Sequence, residues 1–309
     1  SFVIAEGDRP VGTIESGDAV VFFNFRGDRA IEISRAFEEP GFREFDRQRV
    51  PDVFYAGMMQ YDGDALIPKH FLVEPPAIER TVSQYLCAAG VTSFAISETQ
   101  KFGHVTYFWN GNNSGYIDEK LERYLEVPSD VVPFDQRPWM KAAEITDATI
   151  EAIRSGRHKF LRLNYANGDM VGHTGNYQAT LVAVEAVDLA LSPLLPVIDA
   201  MKGVAIITAD HGNADEMYEL DKKTGEPKQD KRGRFKAKTA HTLIPVPFIL
   251  YDNQSGGAIR LAENHFGLSN LASTIVNLLG YEAPTAWDPS ILRFEGDTDP
   301  GDEAIVFAL

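Results

Sequence analysis

Short apolar runs alternate with stretches of helical period along most of this chain. The runs at residues 19–25, 53–59, 92–96, 160–165, 204–208 and 246–250 have the length and bounding residues of buried strands. Between them, apolar residues recur every three or four positions, which predicts helices at residues 28–37, 78–89, 142–155 and 177–200. Pro193 and Pro196 fall inside the last of these, so that helix is expected to kink or break there. A closing helix is predicted over residues 270–279, ended by Gly280. Strands alternating with helices imply βαβ units, and hence an α/β fold with a mostly parallel sheet. No internal repeat is visible.

Composition narrows the function classes. A chain of 309 residues can hold one large or two ordinary domains and bury a sizeable core. Its formal net charge of −16 argues against a nucleic-acid partner. It also means that any anionic ligand must be held by local charge rather than by the field of the whole chain. Cys87 is the single cysteine, so an intrachain disulfide framework is excluded and a cytoplasmic setting is expected. Cys87 lies in an amphipathic pattern and reads as a small core residue. No run reads as long enough to span a membrane, and no secretory leader is visible, so no membrane partner is expected.

Three strand-adjacent segments carry candidate chemistry. The run ending at Thr208 is followed at once by Asp210 and His211, then by Gly212, which permits a sharp turn. Ligands in open α/β sheets sit at the carboxyl ends of strands. Taken alone, Asp210 and His211 could equally be a capping aspartate beside a surface histidine. The run ending at Tyr165 leads to Asp169 and His173, four residues apart among Gly168, Gly172 and Gly175. A helix would put both on one face, but the three glycines favour a loop wrapped around an ion. His241 lies just before the apolar run Pro245 to Tyr251. A carboxylate and imidazole set without thiolates suits Mn²⁺ or Zn²⁺, and would hold two ions if a further carboxylate joined it.

Arg26 and Arg29 lie between a predicted strand and a helix start, where backbone N–H groups favour anions. The setting of Lys101 alone reads as that of a solvated lysine. Residues 221–238 carry eight Lys/Arg against three Asp/Glu. They read as an exposed β-hairpin or loop, with a mobile flap near the active centre as the functional alternative.

Several segments together resemble those of the cofactor-independent (2,3-bisphosphoglycerate-independent) phosphoglycerate mutases of the alkaline phosphatase superfamily. They are Phe22 to Ala30, Ser97 to Phe108, Asn167 to Gly175, Thr208 to Ala214, and His241-Thr242 with Pro245 to Phe248. The resemblance implies an alkaline-phosphatase-like sheet flanked by helices, plus a remnant of a second α/β transferase domain. It implies interconversion of 3-phosphoglycerate and 2-phosphoglycerate through a phosphoserine intermediate, without 2,3-bisphosphoglycerate as cofactor. Two divalent metal ions are implied, Mn²⁺ first, with Mg²⁺, Co²⁺ or Zn²⁺ as alternatives. Asp169, His173 and His241 match the ligands of one ion, Asp210 and His211 two ligands of the other. Arg26, Arg29 and Lys101 match residues that bind the phosphoglycerate, and the whole enzyme is expected to act as a monomer.

The nucleophilic serine and a further metal-binding aspartate of the resembled family lie upstream of the segment similar to Ser1 to Phe25. No serine within the chain has a comparable setting, so no catalytic nucleophile is assigned. The chain is therefore expected to be the carboxyl-terminal part of a larger enzyme, inactive in isolation. Residues 1–75 would be the end of the phosphotransferase domain and 76–309 the main part of the metal-binding domain, with a boundary near Val73-Glu74-Pro75-Pro76. A sheet member from the missing part would then leave an exposed edge or apolar surface. A related metal-dependent phosphatase, phosphomutase or sulfatase, or a non-catalytic binding fragment, are the alternatives.

Overall fold

The structure, a computed structural model, describes residues 3–25, 28–62, 66–74, 78–221 and 223–295. The chain divides into two compact units. The first comprises Ser1–Glu79 with Asn110–Gly115. It opens with a short antiparallel ribbon of β1 (Ala5–Glu6) and β2 (Arg9–Pro10). A parallel three-stranded sheet follows in the order β3 (Ala19–Phe22), β4 (Phe54–Met59) and β5 (Phe71–Val73). Helix α1 (Asp28–Glu38) makes the β3–β4 connection a βαβ crossover. Its buried Ser34 reaches the Tyr55 hydroxyl of β4 (3.0 Å), and Phe37 stacks on the Tyr55 ring (4.8 Å). The strand predicted to reach residue 25 ends at Phe22. There Asn24 N–H turns back onto the Phe22 carbonyl, and the fully buried Tyr61 donates its hydroxyl to this turn.

The second unit, Arg80–Trp109 with Tyr116–Leu309, carries a parallel sheet in the order β7 (Glu122–Val127), β6 (Ser93–Glu98), β8 (Phe160–Asn164). Every residue of β6 is buried, as expected of a central strand with both faces covered. Helix α2 (Val82–Ala88) leads into β6 and starts later than its periodicity predicts. Arg80 has a positive φ of 57°, which ends any helix reaching back to residue 78. Thr81 and Gln84 then form a reciprocal capping box. Cys87 is half-buried in α2, and burial pushes its thiol up to about 11, the behaviour of a packed rather than a reactive cysteine. Helix α3 (Thr99–Val105) follows β6 without a loop. Helix α4 (Ala142–Arg154) crosses from β7 to β8, and its Ile145 and Ala152 pack with Phe94 and Ile96 of β6.

Three expectations are corrected beyond β8. The glycine-rich segment after it is a helix, α5 (Asn167–Gly172), not a loop. Met170 and Val171 are buried with Ala179 and Ala183 of the next helix, and this packing outweighs the weak helix propensity of the glycines. Of the kink or break expected at Pro193 and Pro196, the break does not occur: helix α6 (Tyr177–Ala200) is continuous through both. It packs against α4 and α5, with Leu194 and Val197 buried on either side of Pro196. This helix is also long and apolar enough to cross a membrane by length and composition (mean hydropathy 1.9 over an 18-residue window), contrary to the reading that no run is. Glu185 and Asp188 interrupt the run in the sequence without lowering its mean enough to matter.

Strand β9 (Ala205–Thr208) pairs antiparallel with β10 (Phe248–Tyr251), Thr208 opposite Phe248. The long connection between them therefore leaves and returns at one end of the pair. Its outer part, described at residues 217–221 and 223–238, is a hydrogen-bonded finger with bridges Tyr218–Ala237, Leu220–Pro227 and Gln229–Phe235. Beyond it, β11 (Ile259–Leu261) and β12 (Leu292–Phe294) pair antiparallel around α7 (Leu271–Leu278), which closes at Gly280 with φ 82°.

Among the described residues β8 pairs only with β6, and β9 only with β10. Exposed apolar side chains of α6 lie in the same unit, Leu189 at 70% and Val184 at 49% exposure. Unpaired strand edges and exposed apolar helix surface both promote association. The chain alone is expected to self-associate as its concentration rises, as seen by sedimentation velocity. A monomer independent of concentration would contradict the exposed-edge reading.

Candidate metal centre

Parallel pairing of β6 and β8 puts their carboxyl ends side by side, so α3 and α5 start together. Lys101 lies in the first turn of α3 and Asp169 in the first turn of α5. Their side chains meet in an ion pair, Lys101 Nζ to Asp169 Oδ2 at 2.7 Å. Lys101 is only 3% exposed, so the reading of a solvated lysine is wrong. A lysine is buried this completely only when paired. The same Nζ is 3.9 Å from Asp210 Oδ2.

The second oxygen of Asp169 faces the imidazoles. Oδ1 is 3.1 Å from His173 Nε2, 3.1 Å from His241 Nε2 and 4.0 Å from His211 Nδ1. His173 lies one turn after Asp169, on the helix face that the four-residue spacing requires. His173 Nε2 and His241 Nε2 are themselves 3.1 Å apart, and the rings of His211 and His241 stack at 3.6 Å. His211 Nε2 is 3.5 Å from Asp210 Oδ2. All five residues singled out for metal binding are thus brought into one cluster at the carboxyl ends of β8 and β9.

The protonation pattern suits an ion. The Nδ1 of His173 is 2.6 Å from the Thr239 carbonyl, which can only accept, so Nδ1 carries a hydrogen and Nε2 is the ring nitrogen left to face an ion. Burial, then the neighbouring His211, pushes the His241 imidazole below its ordinary value, toward the neutral form that ligates metals. Burial alone would raise the Asp169 carboxyl. The Lys101 ammonium, with Asn213, outweighs that and holds it at about 2. Donors bound at about 2.1 Å with near-octahedral or tetrahedral angles stand roughly 3.0–3.4 Å apart. The Oδ1, Nε2 and Nε2 atoms of Asp169, His173 and His241 have that spacing. Asp169, His211 and His241 also bring one donor atom each within 4.8 Å of one another. The donor set therefore fits a divalent cation at Asp169, with Asp210 and His211 available to a second.

Residues 13–283 match the family described as the metalloenzyme superfamily. The chain belongs to that superfamily. It is 54% identical over 300 residues to the 2,3-bisphosphoglycerate-independent phosphoglycerate mutase of Trypanosoma brucei brucei, covering 94% of this chain and 53% of that protein. It is 52% identical over 295 residues to the probable enzyme of the same name in Leptospira interrogans, covering 96% and 54%. A solved structure of Leishmania mexicana phosphoglycerate mutase at low cobalt concentration superposes with a TM-score of 0.90 at 53% identity, over 94% of this chain and 53% of that one. The chain thus spans about half the length of the relatives it matches.

The proposed substrate residues fare differently. Arg26 lies outside the described residues, and Arg29 is a backbone position in the first turn of α1 whose side chain also lies outside them. Lys101 belongs to the cluster itself. Sequence reasoning passed over Asn213, which is buried and donates from Nδ2 to the Oδ1 (2.8 Å) and the carbonyl (3.2 Å) of Asp169. The signal for it is Gly172, where a Cβ would stand 2.4 Å from Asn213 Oδ1.

Removing the lysine should expose how much the pair matters. A buried charge left without its partner costs about 3–5 kcal/mol. The Asp169 carboxyl is depressed from 3.8 to about 2, so its stabilising contribution is complete above 3.8 and lost as pH falls through about 2. Urea unfolding of Lys101→Met in chelator should show a loss of about that size at about pH 7 that shrinks on going to about pH 3. A loss of equal size at both pH values would contradict this role.

Proposed function

We propose that this chain is the metal-binding part of a cofactor-independent phosphoglycerate mutase, interconverting 3-phosphoglycerate and 2-phosphoglycerate as part of the whole protein. The observation that carries the reading is the buried Lys101 set between Asp169 and Asp210 beside three imidazoles. Identities above 50% to proteins bearing that name, across nearly all of this chain, support it. In this reading Asp169, His173 and His241 hold one divalent ion. Asp210 and His211 contribute to a second, whose shell is completed from the part of the protein that this chain does not span. Mn²⁺ is the ion proposed first; the similar Leishmania mexicana enzyme, solved at low cobalt concentration, supports Co²⁺ as a substitute.

Bound divalent ions would supply Lewis-acid stabilisation of phosphoryl oxygens and lower the pKa of an attacking hydroxyl. The chain's own residues do the rest. Lys101 keeps its ammonium within reach of both metal-facing carboxylates, where it offsets charge on a transferring phosphoryl group. Burial lets that charge act with little screening by water. Arg26 and Arg29 would grip the carboxylate or phosphate end of the phosphoglycerate through paired donors. The serine nucleophile is expected from the unmatched part of the relatives' length. Action as a monomer in the cytoplasm, without nucleic-acid or membrane partners, belongs to the same proposal.

Two measurements test the reading. In the full-length enzyme, His241→Ala should remove one bound ion and nearly all mutase turnover in a coupled assay on 3-phosphoglycerate; undiminished turnover would refute it. In the present chain, Mn²⁺ titration should find one tight site and one much weaker. Two equally tight sites would show that the second shell is complete without further residues.

A further inference from the structure

Three segments carry the ligand-type residues, and one of them touches the other two. Residues Gly212 to Asp215 follow His211 directly. On one side Asn213 donates to both the carbonyl and Oδ1 of Asp169. On the other, Thr242 donates its hydroxyl to Asp215 Oδ2 at 2.7 Å and its N–H to the Gly212 carbonyl at 2.9 Å. Thr242 is the residue after His241, so both bonds act within one peptide unit of that imidazole. Asn213 and Thr242 are 4% and 7% exposed, so both donors are buried. Asp215 is itself exposed, but a hydroxyl donating to a carboxylate is charge-assisted and about twice as strong as a neutral pair.

Two glycines record how closely these groups are fitted. A Cβ on Gly212 would lie 2.1 Å from Thr242 Oγ1 and 2.5 Å from Asp215 Oδ2. A Cβ on Gly172 would lie 2.4 Å from Asn213 Oδ1 and 2.9 Å from its carbon. Neither glycine has a positive φ, so backbone conformation does not account for them. The close approach of Asn213, Asp215 and Thr242 does.

We propose that Asn213 and Asp215 are positioning residues of the metal centre: Asn213 aims the Asp169 carboxylate, and Asp215, acting through Thr242, sets the place of His241. The inference rests on the metal-centre reading and not on the identity of the substrate. Outer partners of this kind hold ligands at bonding distance, and their loss weakens metal binding about 10- to 100-fold.

The test is Co²⁺ titration of the chain, followed by calorimetry and by the visible absorption of the bound ion, for Thr242→Val, Thr242→Ser, Asp215→Asn and Asn213→Ala. Valine matches threonine in shape and lacks the hydroxyl, whereas serine keeps it. Affinity should fall about 10- to 100-fold in Thr242→Val and Asn213→Ala, with an altered Co²⁺ spectrum, while Thr242→Ser stays near the parent. Asp215→Asn, which keeps an acceptor oxygen and loses the charge, should lie between. A purely structural role would lower urea stability and leave affinity and spectrum unchanged, and that result overturns the proposal. Should Thr242→Val fail to fold, parental affinity in Asp215→Asn overturns it equally. His241→Ala is run beside them. If it too binds Co²⁺ like the parent, the metal-centre reading has failed; if it alone loses binding, only the positioning role has.

Discussion

The Lys101–Asp169 ion pair is the contact on which the rest of the site depends. Both partners are withdrawn from water, and each would be costly to bury alone. Their meeting requires α3 and α5 to begin at adjacent strand ends, which the parallel β6–β8 pairing supplies. Once Lys101 occupies Oδ2, the carboxylate has one oxygen left, and that oxygen faces His173 and His241. One buried ammonium thus keeps the carboxyl ionised at about 2 and aims it. The antiparallel β9–β10 pair contributes the complementary constraint. Because the chain leaves β9 and re-enters β10 at the same end, Asp210-His211 and His241 arrive together although thirty residues separate the two histidines.

Much of this was legible in the sequence, and what was not has identifiable causes. Strands β6, β8 and β9 and helices α1 and α4 are marked by strong periodicity or continuous apolar runs; of these strands only β6 is buried throughout, whereas β8 and β9 are mostly half-buried. The metal-type residues were legible because strand ends and their side-chain chemistry coincide. Helix α5 was hidden by its glycines; only the packing of Met170 and Val171 against α6 makes it a helix, and packing partners are not written locally. The burial of Lys101 was equally hidden, since its partner lies 68 residues further on. The continuity of α6 through two prolines, and the direction of β10, are likewise decided by tertiary contacts rather than by local propensity.

Charge distribution shows a similar division between local and global. The chain carries a net charge of −16, yet its polar centre gathers a buried ammonium and three imidazoles around two carboxylates. For an anionic substrate of the proposed kind, the decisive field is this local one. The basic finger at residues 217–221 and 223–238 is a bridged element. Its aspartates at 221 and 230 accept backbone N–H groups at its two turns, and Arg234 pairs with Asp230. Much of its charge therefore serves its own geometry.

The central claim is that Asp169, His173 and His241 together form one complete divalent-metal site. Anomalous diffraction at the Mn²⁺ absorption edge, from crystals of the chain grown with Mn²⁺, tests it most directly. The account predicts a strong peak roughly 2.0–2.3 Å from an Asp169 carboxylate oxygen and from the Nε2 atoms of His173 and His241. A strong peak bound only by Asp210 and His211, with His173 and His241 turned away from it, would contradict the account.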